Sequence, residues 1–239
     1  MQQRADTVRV ATWNIRGGVG LDGRYDLDRI VRIIKRAEPD VIALQEVDSR
    51  RGTSAHAHPF VHLRRMLGEH AVEAKSITGA DGEYGQIMLS RWPLTNIHIH
   101  DISVSGREPR RAIQADVQSA QGPLRIIATH LGLTFRERRG QVAALTAIAA
   151  APDHPTVMLG DFNDWIWRGS VQSAIRRVLP SRTWHRTFPS FLPLIRLDRI
   201  YCRPGDAMVQ SWTDRDTEGA SDHLPVFADI KLSAPNPAP

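Results

Sequence analysis

The chain has a single cysteine, Cys202, in 239 residues, so no disulfide can form within it and a small cross-linked scaffold is excluded. Cys202 stands beside Tyr201 in an apolar run and reads as a small buried hydrophobe rather than a nucleophile. Lysine is nearly as scarce, 3 of the 31 basic residues, and the arginines are scattered. No Lys/Arg cluster along one element marks a groove for duplex nucleic acid. No apolar run approaches the roughly 20 residues of a membrane-spanning helix. Met1 to Val10 lack the apolar centre of a secretion signal. A cytoplasmic monomer is therefore expected, any membrane contact being peripheral. There is no repeat and no linker-like boundary, so residues 1–232 read as one domain and the Pro/Ala-rich 233–239 as a disordered tail. A Walker A lysine and a His-Glu-x-x-His zinc pattern are also missing.

What is present is ordinary for a soluble protein with a substantial core: 41% hydrophobic and 24% charged residues. A formal charge of +5 and a pI near 10.0 lean toward a polyanionic partner, or reflect a solvated arginine-rich surface. Val8 to Trp13 and Val41 to Leu44 read as strands around a helix with Leu27, Ile30, Val31 and Ile34 on one face. Further strands are expected at Gln86–Ser90, Leu94–Ile102, Ala112–Gln118, Leu124–Thr129, Thr156–Leu159, Leu197–Cys202, Ala207–Thr213 and Pro225–Leu232. Thr134 and Glu137 form a capping box for a second helix ending near Ala150. Strand–helix alternation followed by a run of strands suits mixed sheets flanked by helices.

Chemistry-bearing residues gather where these strands end. Ser221-Asp222-His223 precedes the last strand; since strand neighbours point to opposite faces, Asp222 and His223 can share a site only from the turn leading into it. Asp222 offers a hard carboxylate, and His223 can accept a proton near neutral pH. Asn14 follows the first strand and is equally a turn residue. Glu46 closes a strand too apolar to be exposed, and needs either a metal or an arginine partner. Asp161 and Asn163, in Gly160-Asp161-Phe162-Asn163, are two apart and would project to one side if extended. His130 ends another apolar strand, and Asp198 interrupts one and would orient His223 by hydrogen bonding. Arg110 and Arg111 can clamp a phosphate, or form a surface pair.

With Trp13-Asn14, Leu44-Gln45-Glu46, Thr129-His130, Gly160-Asp161-Phe162-Asn163, Leu197-Asp198 and Ser221-Asp222-His223 in this order, the chain resembles the endonuclease/exonuclease/phosphatase superfamily, the deoxyribonuclease I-like fold. The matching pieces fall within residues 8–230. The resemblance implies an α/β fold, a four-layer α/β sandwich with two mixed β-sheets face to face and helices outside. It also implies a Mg²⁺-dependent phosphoesterase, with Mn²⁺ as a substitute ion. By the same resemblance Glu46, Asn14 and Asp222 serve the metal, and His223 is the general base oriented by Asp198. Asp161 and Asn163 position nucleophile and phosphate, and His130 donates to a phosphate oxygen. Some nucleases of the superfamily carry an acid two residues after the first Asn; here that residue is Arg16.

The expected partner is a phosphorylated substrate, whether lipid, small molecule or nucleic acid. Phe188 through Pro193 to Tyr201 also resembles a small stand-alone bacterial branch of the superfamily, which favours lipid or small-molecule phosphates over a dedicated repair nuclease. The apolar stretch 187–195 either packs on the core or meets a lipid surface or an apolar group of the substrate, and Trp165 and Trp167 either pack, stack on a base or insert at a membrane interface. Gly18-x-Gly20-x-x-Gly23 has dinucleotide-loop spacing, but its helix starts too late, near Asp26, for the N-terminus to meet a pyrophosphate. A catalytically silent phosphate-binding module is the remaining rival.

Overall fold

A computed structural model describes residues 6–51, 58–68, 70–150, 155–165, 170–217 and 219–232. The 233–239 tail and Trp167 lie outside the described residues. The strands are β1 (Thr7–Asn14), β2 (Val41–Asp48), β3 (His70–Gly79), β4 (Gly82–Ser90), β5 (Leu94–Asp101), β6 (Arg111–Ser119), β7 (Gly122–His130), β8 (Thr156–Asp161), β9 (Ser181–Arg182), β10 (Asp198–Arg203), β11 (Met208–Thr213) and β12 (Val226–Lys231). The helices are α1 (Leu27–Ala37), α2 (Pro59–Leu67), α3 (Phe135–Ala149) and α4 (Ser170–Ile175). Among the described residues, no helix is long and apolar enough to cross a membrane.

Two six-stranded sheets form, one in the order β11-β12-β1-β2-β4-β3 and the other β5-β6-β7-β8-β10-β9. Each sheet is mixed: β1 with β2 and β7 with β8 are parallel, and the remaining pairs antiparallel. The period-two alternation of buried strands explains the layers. Val8, Val10, Val41 and Ala43 meet Ile126, Ala128, Val157 and Leu159 in one core between the sheets. Ala11, Trp13, Ile42 and Leu44 point the other way, under Ile30, Ile34 and Leu63 of α1 and α2. On the far side Ile127, Met158 and Tyr201 pack beneath Val142 and Leu145 of α3 and Ile175 of α4. The four layers follow.

Local signals set the helix ends. Asp26 caps α1 by accepting from the Arg29 N–H, and Thr134 with Glu137 closes a capping box on α3. The Gly18–Gly23 segment folds into a loop held to itself and to Gly219, with α1 starting beyond it.

Candidate active site

The catalytic candidates sit at one rim because of strand direction. Asn14 ends β1 beside Gln45 of the parallel β2. His130 and Asp161 are register partners at the ends of the parallel β7 and β8, and Asp198 opens the antiparallel β10 opposite Asp161. A direct hydrogen bond joins the two sheets: Asn14 Nδ2 donates to Asp161 Oδ2 at 3.0 Å and to Glu46 Oε1 at 2.9 Å.

Glu46 reaches this position through a bulge. The β2–β4 register shifts between Leu44 and Val47, and Glu46 adopts φ 57°. A left-handed non-glycine residue is uncommon and re-aims its side chain. Arg16 and Asn163 also have positive φ, so backbone strain concentrates around the cluster. Among the described residues no arginine or lysine pairs with Glu46; its hydrogen-bond partner is Asn14.

His223 lies on the turn before β12. Its Nδ1 is 2.8 Å from Asp198 Oδ2, its carbonyl accepts from Trp13 Nε1 at 2.8 Å, and the Phe188 ring sits 5.0 Å from the imidazole. Ser221, the first residue of the Ser221-Asp222-His223 motif, anchors the turn: its Oγ donates to the Asn14 carbonyl at 2.7 Å and accepts from the His223 N–H at 3.2 Å. The other His223 nitrogen, Nε2, faces Asp161 Oδ2 at 3.9 Å. Burial alone would lower this imidazole, but the Asp198 and Asp161 carboxylates outweigh it and push it up to about 10. The Asp161 carboxyl is itself pushed up to about 6 by burial and by the Asp198 charge.

Asp161 and Asn163 do not project side by side as an extended stretch would place them. The chain turns: Asp161 Oδ1 accepts from the Asn163 N–H at 2.9 Å, and Asn163 Nδ2 donates to the Leu131 carbonyl at 2.9 Å. Asn163 still belongs to the cluster, with a second amide N–H available.

His130 completes this side, its Nε2 3.6 Å from Asp161 Oδ2. Behind it Arg110 Nη1 lies 3.3 Å from His130 Nδ1 and 2.8 Å from Glu108. A guanidinium only donates, so Nδ1 accepts and the proton of the neutral ring is on Nε2, facing the cleft. Burial and the Arg110 charge hold the His130 pKa well below the usual histidine value, which keeps the ring neutral. Arg110 therefore acts through His130. Arg111 pairs with Asp101 instead. Tyr84 was not read from the sequence; its phenol is pushed up by burial and by the Glu46 charge.

Asp222 is half-buried, with Oδ2 3.6 Å from Arg16 Nε. The residue standing where some related nucleases carry an acid is thus an arginine that partly neutralises Asp222. Stretch 187–195 divides: Phe188 packs on His223 and Ser190 is buried, whereas Phe191, Leu192 and Leu194 are exposed. Trp165 is exposed as well.

A divalent cation fits the donor set. Glu46 and Asp222 offer carboxylate oxygens, which are hard ligands; Asn14 turns its Nδ2 to Glu46 while its Oδ1 accepts from the Arg16 N–H at 3.1 Å, so it can offer an oxygen there only with its amide flipped. The buried Asp198 Oδ1 has no hydrogen-bond partner, and ligand atoms of Asp161, Asp198 and His223 lie within 4.8 Å of one another. Because His223 Nδ1 is engaged with Asp198, those three read as an acid–base group beside the cation site rather than as its complete ligand shell. His223 lies against the Asp161 and Asp198 carboxylates and Arg16 against that of Asp222, while Glu46 is bonded by the neutral Asn14 amide.

Comparisons with known proteins bear on the family and the fold. A model of the Endonuclease/Exonuclease/phosphatase family matches residues 11–223. The curated "Uncharacterized protein YbhP" of Escherichia coli K12 is 28% identical over 255 aligned positions, covering 97% of this chain and 99% of that protein. An endonuclease/exonuclease/phosphatase from Beutenbergia cavernae superposes with a TM-score of 0.77 at 22% identity, over 96% of this chain and 73% of its own. D. rerio TDP2, solved with a single-strand DNA product, has a TM-score of 0.64 at 18% identity, covering 95% and 99% of the two chains.

Proposed function

The chain belongs to the endonuclease/exonuclease/phosphatase family, and on that premise we propose that it hydrolyses a phosphate diester or monoester with the help of a divalent cation. The observation that carries the reading is the His223–Asp198 pair, 2.8 Å apart, with the free imidazole nitrogen aimed at Asp161. Glu46, Asp222 and Asn14 would hold the cation, Mg²⁺ or in its place Mn²⁺. Bound there, it would neutralise charge on the phosphoryl oxygens and weaken the carboxylate field around His223. The neutral His130 donates from Nε2 to a non-bridging oxygen, and Asn163 donates from its second amide N–H. His223 Nε2 takes the proton of the attacking water. Asp198 keeps Nδ1 protonated and stabilises the resulting imidazolium.

A second assignment has its own support. With no cation bound, His223 is held protonated at neutral pH while Asp161 titrates near 6. Asp161 then serves as the proton acceptor, and the imidazolium stabilises phosphoryl charge. The acidic limb of the rate profile separates the two. Its loss in His223→Gln assigns it to the imidazole, and its persistence assigns it to Asp161.

The activity is tested with bis-p-nitrophenyl phosphate and p-nitrophenyl phosphate in Mg²⁺ or Mn²⁺. Metal-dependent release is expected from at least one, and abolished in Glu46→Ala and His223→Ala. No release with either ion favours a phosphate-binding module instead. Exposed Phe191, Leu192 and Leu194, in the loop whose Phe188 packs on His223, support a substrate with an apolar portion. Phosphoinositides, sphingomyelin, nicked plasmid and abasic DNA then rank the substrate classes.

A further inference from the structure

On the outer face of the β10 sheet, behind the catalytic rim, lies a cavity of about 430 Å³ whose lining includes Arg182, Arg186, Arg196 and Arg199, with Trp165 and Trp184. Strand alternation separates it from the catalytic cluster. Asp198 turns toward His223, while the next residue, Arg199, bonds Tyr201 Oη at 3.3 Å on the helix side. Asp164, one residue past Asn163, is the lone carboxylate among the lining residues and lies 3.8 Å from Arg199. Four guanidiniums thus share one carboxylate.

The cations differ in how well they are satisfied. Arg199 donates to the carbonyls of Asp164 and Arg196, at 3.0 and 2.9 Å. Arg196 Nε donates to the Trp184 carbonyl at 2.7 Å. Arg182 is stacked 3.5 Å over the Trp184 ring, and its Nε and Nη1 are shielded from solvent with no hydrogen-bond acceptor among the described residues. Buried charged donors without an acceptor are costly, and like charges around one cavity add to the cost. Burial and the charges of Arg176, Arg199 and Arg196 all disfavour the Arg182 guanidinium. An anion with several acceptor oxygens in the cavity offsets the clustered positive charge, and planar guanidinium forks match phosphoryl oxygens in particular.

We propose that this cavity is a second anion site, which takes a phosphoryl or pyrophosphoryl group on Arg182, Arg186 and Arg196 against the walls of Trp165 and Trp184. The site stands on its own geometry and does not depend on the hydrolytic reading. Its ligand is either the bare phosphoryl anion or a phosphate carried on a planar ring that stacks on exposed Trp165.

The test is calorimetric titration of the metal-free protein in EDTA with inorganic pyrophosphate and, separately, a nucleoside 5′-monophosphate. Saturable binding is expected, weakened at least tenfold in Arg182→Gln and in Arg196→Gln and unchanged in Arg65→Gln, an exposed arginine of α2 over the other sheet. Tighter binding of the monophosphate, lost in Trp165→Ala, assigns the ring-bearing ligand; no preference assigns the bare anion. If Arg182→Gln fails to fold, the exposed Arg186→Gln carries the test and is expected to weaken binding severalfold. Absence of saturable binding in the wild type overturns the site, as does affinity that survives the arginine substitutions or falls equally in Arg65→Gln. Hydrolysis can fail while this binding persists, and the reverse, so the two proposals are judged separately.

Discussion

Asp198 Oδ2 and His223 Nδ1 lie 2.8 Å apart although they arrive from different sheets, Asp198 at the start of β10 and His223 on the turn into β12. The carboxylate has no exposure to solvent and the imidazole little, so the charge of each depends on the other.

Replacing Asp198 by Asn should lower the His223 pKa from about 10, because the largest favourable charge on the imidazolium is removed. In the metal-free protein, the stability that the raised His223 value contributes is fully present below the ordinary histidine value of about 6.5 and is lost as pH rises through about 10. Urea midpoints across that window should fall in the wild type and flatten in Asp198→Asn. Turnover should drop by roughly 10²–10⁴, the usual worth of a positioned acid–base group. NMR titration of the imidazole checks the pKa directly.

Metal dependence should reside in Glu46. Mg²⁺ or Mn²⁺ should raise the melting temperature of the wild type, with about 2.7 kcal/mol of stabilisation at an ion concentration 100-fold above Kd. Glu46→Ala should lose that response and its activity while keeping the fold, since the side chain is half-buried and its hydrogen-bond partner is Asn14. An unchanged melting shift in the variant would move the cation to other residues.

Arg110→Met should reduce kcat by about 10–100-fold with little change in KM, as removal of an outer orienting partner typically does. Without the guanidinium on Nδ1, the His130 proton is no longer confined to Nε2. The His130 pKa should also rise toward its ordinary value, because the Arg110 charge is one of the causes that lower it. Nitrogen chemical shifts of the ring report both effects; kinetics altered with an unchanged tautomer would make Arg110 a direct phosphate ligand.

Gly160→Ala should destabilise the protein by about 1–3 kcal/mol, the range for forced overpacking. Gly160 has φ +151°, and a Cβ there would stand 1.9 Å from the Thr129 carbonyl oxygen. The neighbouring register pair is His130 with Asp161, so activity should fall along with the urea midpoint.

The strand ends were legible in the sequence because each joins a buried apolar run to an isolated polar residue, as at Thr129-His130 and Leu197-Asp198. The α3 boundary was legible for a similarly local reason, the Thr134–Glu137 box. Strand β3 was not, since only Val72 and Ala74 of it are buried and its polar Glu73, Lys75 and Ser76 dilute the alternation. Helix α2 is short and follows residues without a capping signal. The bulge at Glu46 depends on pairing with a distant strand and leaves no trace in propensity; the turn at Asn163 is local, but its bond to the Leu131 carbonyl is not. The arginine cavity is likewise assembled from residues spread between Asp164 and Arg199.

The hydrogen bond from Asn14 to Asp161 crosses from one sheet to the other, so each sheet supplies half of the reacting groups. The side chains between them, among them Val10, Ala43, Ile126 and Val157, act as a spacer that sets the jaw width of the site. Enlarging or trimming a residue in that layer is a way to adjust the span between Glu46 and His130, and with it substrate preference, without altering any group that meets the phosphate.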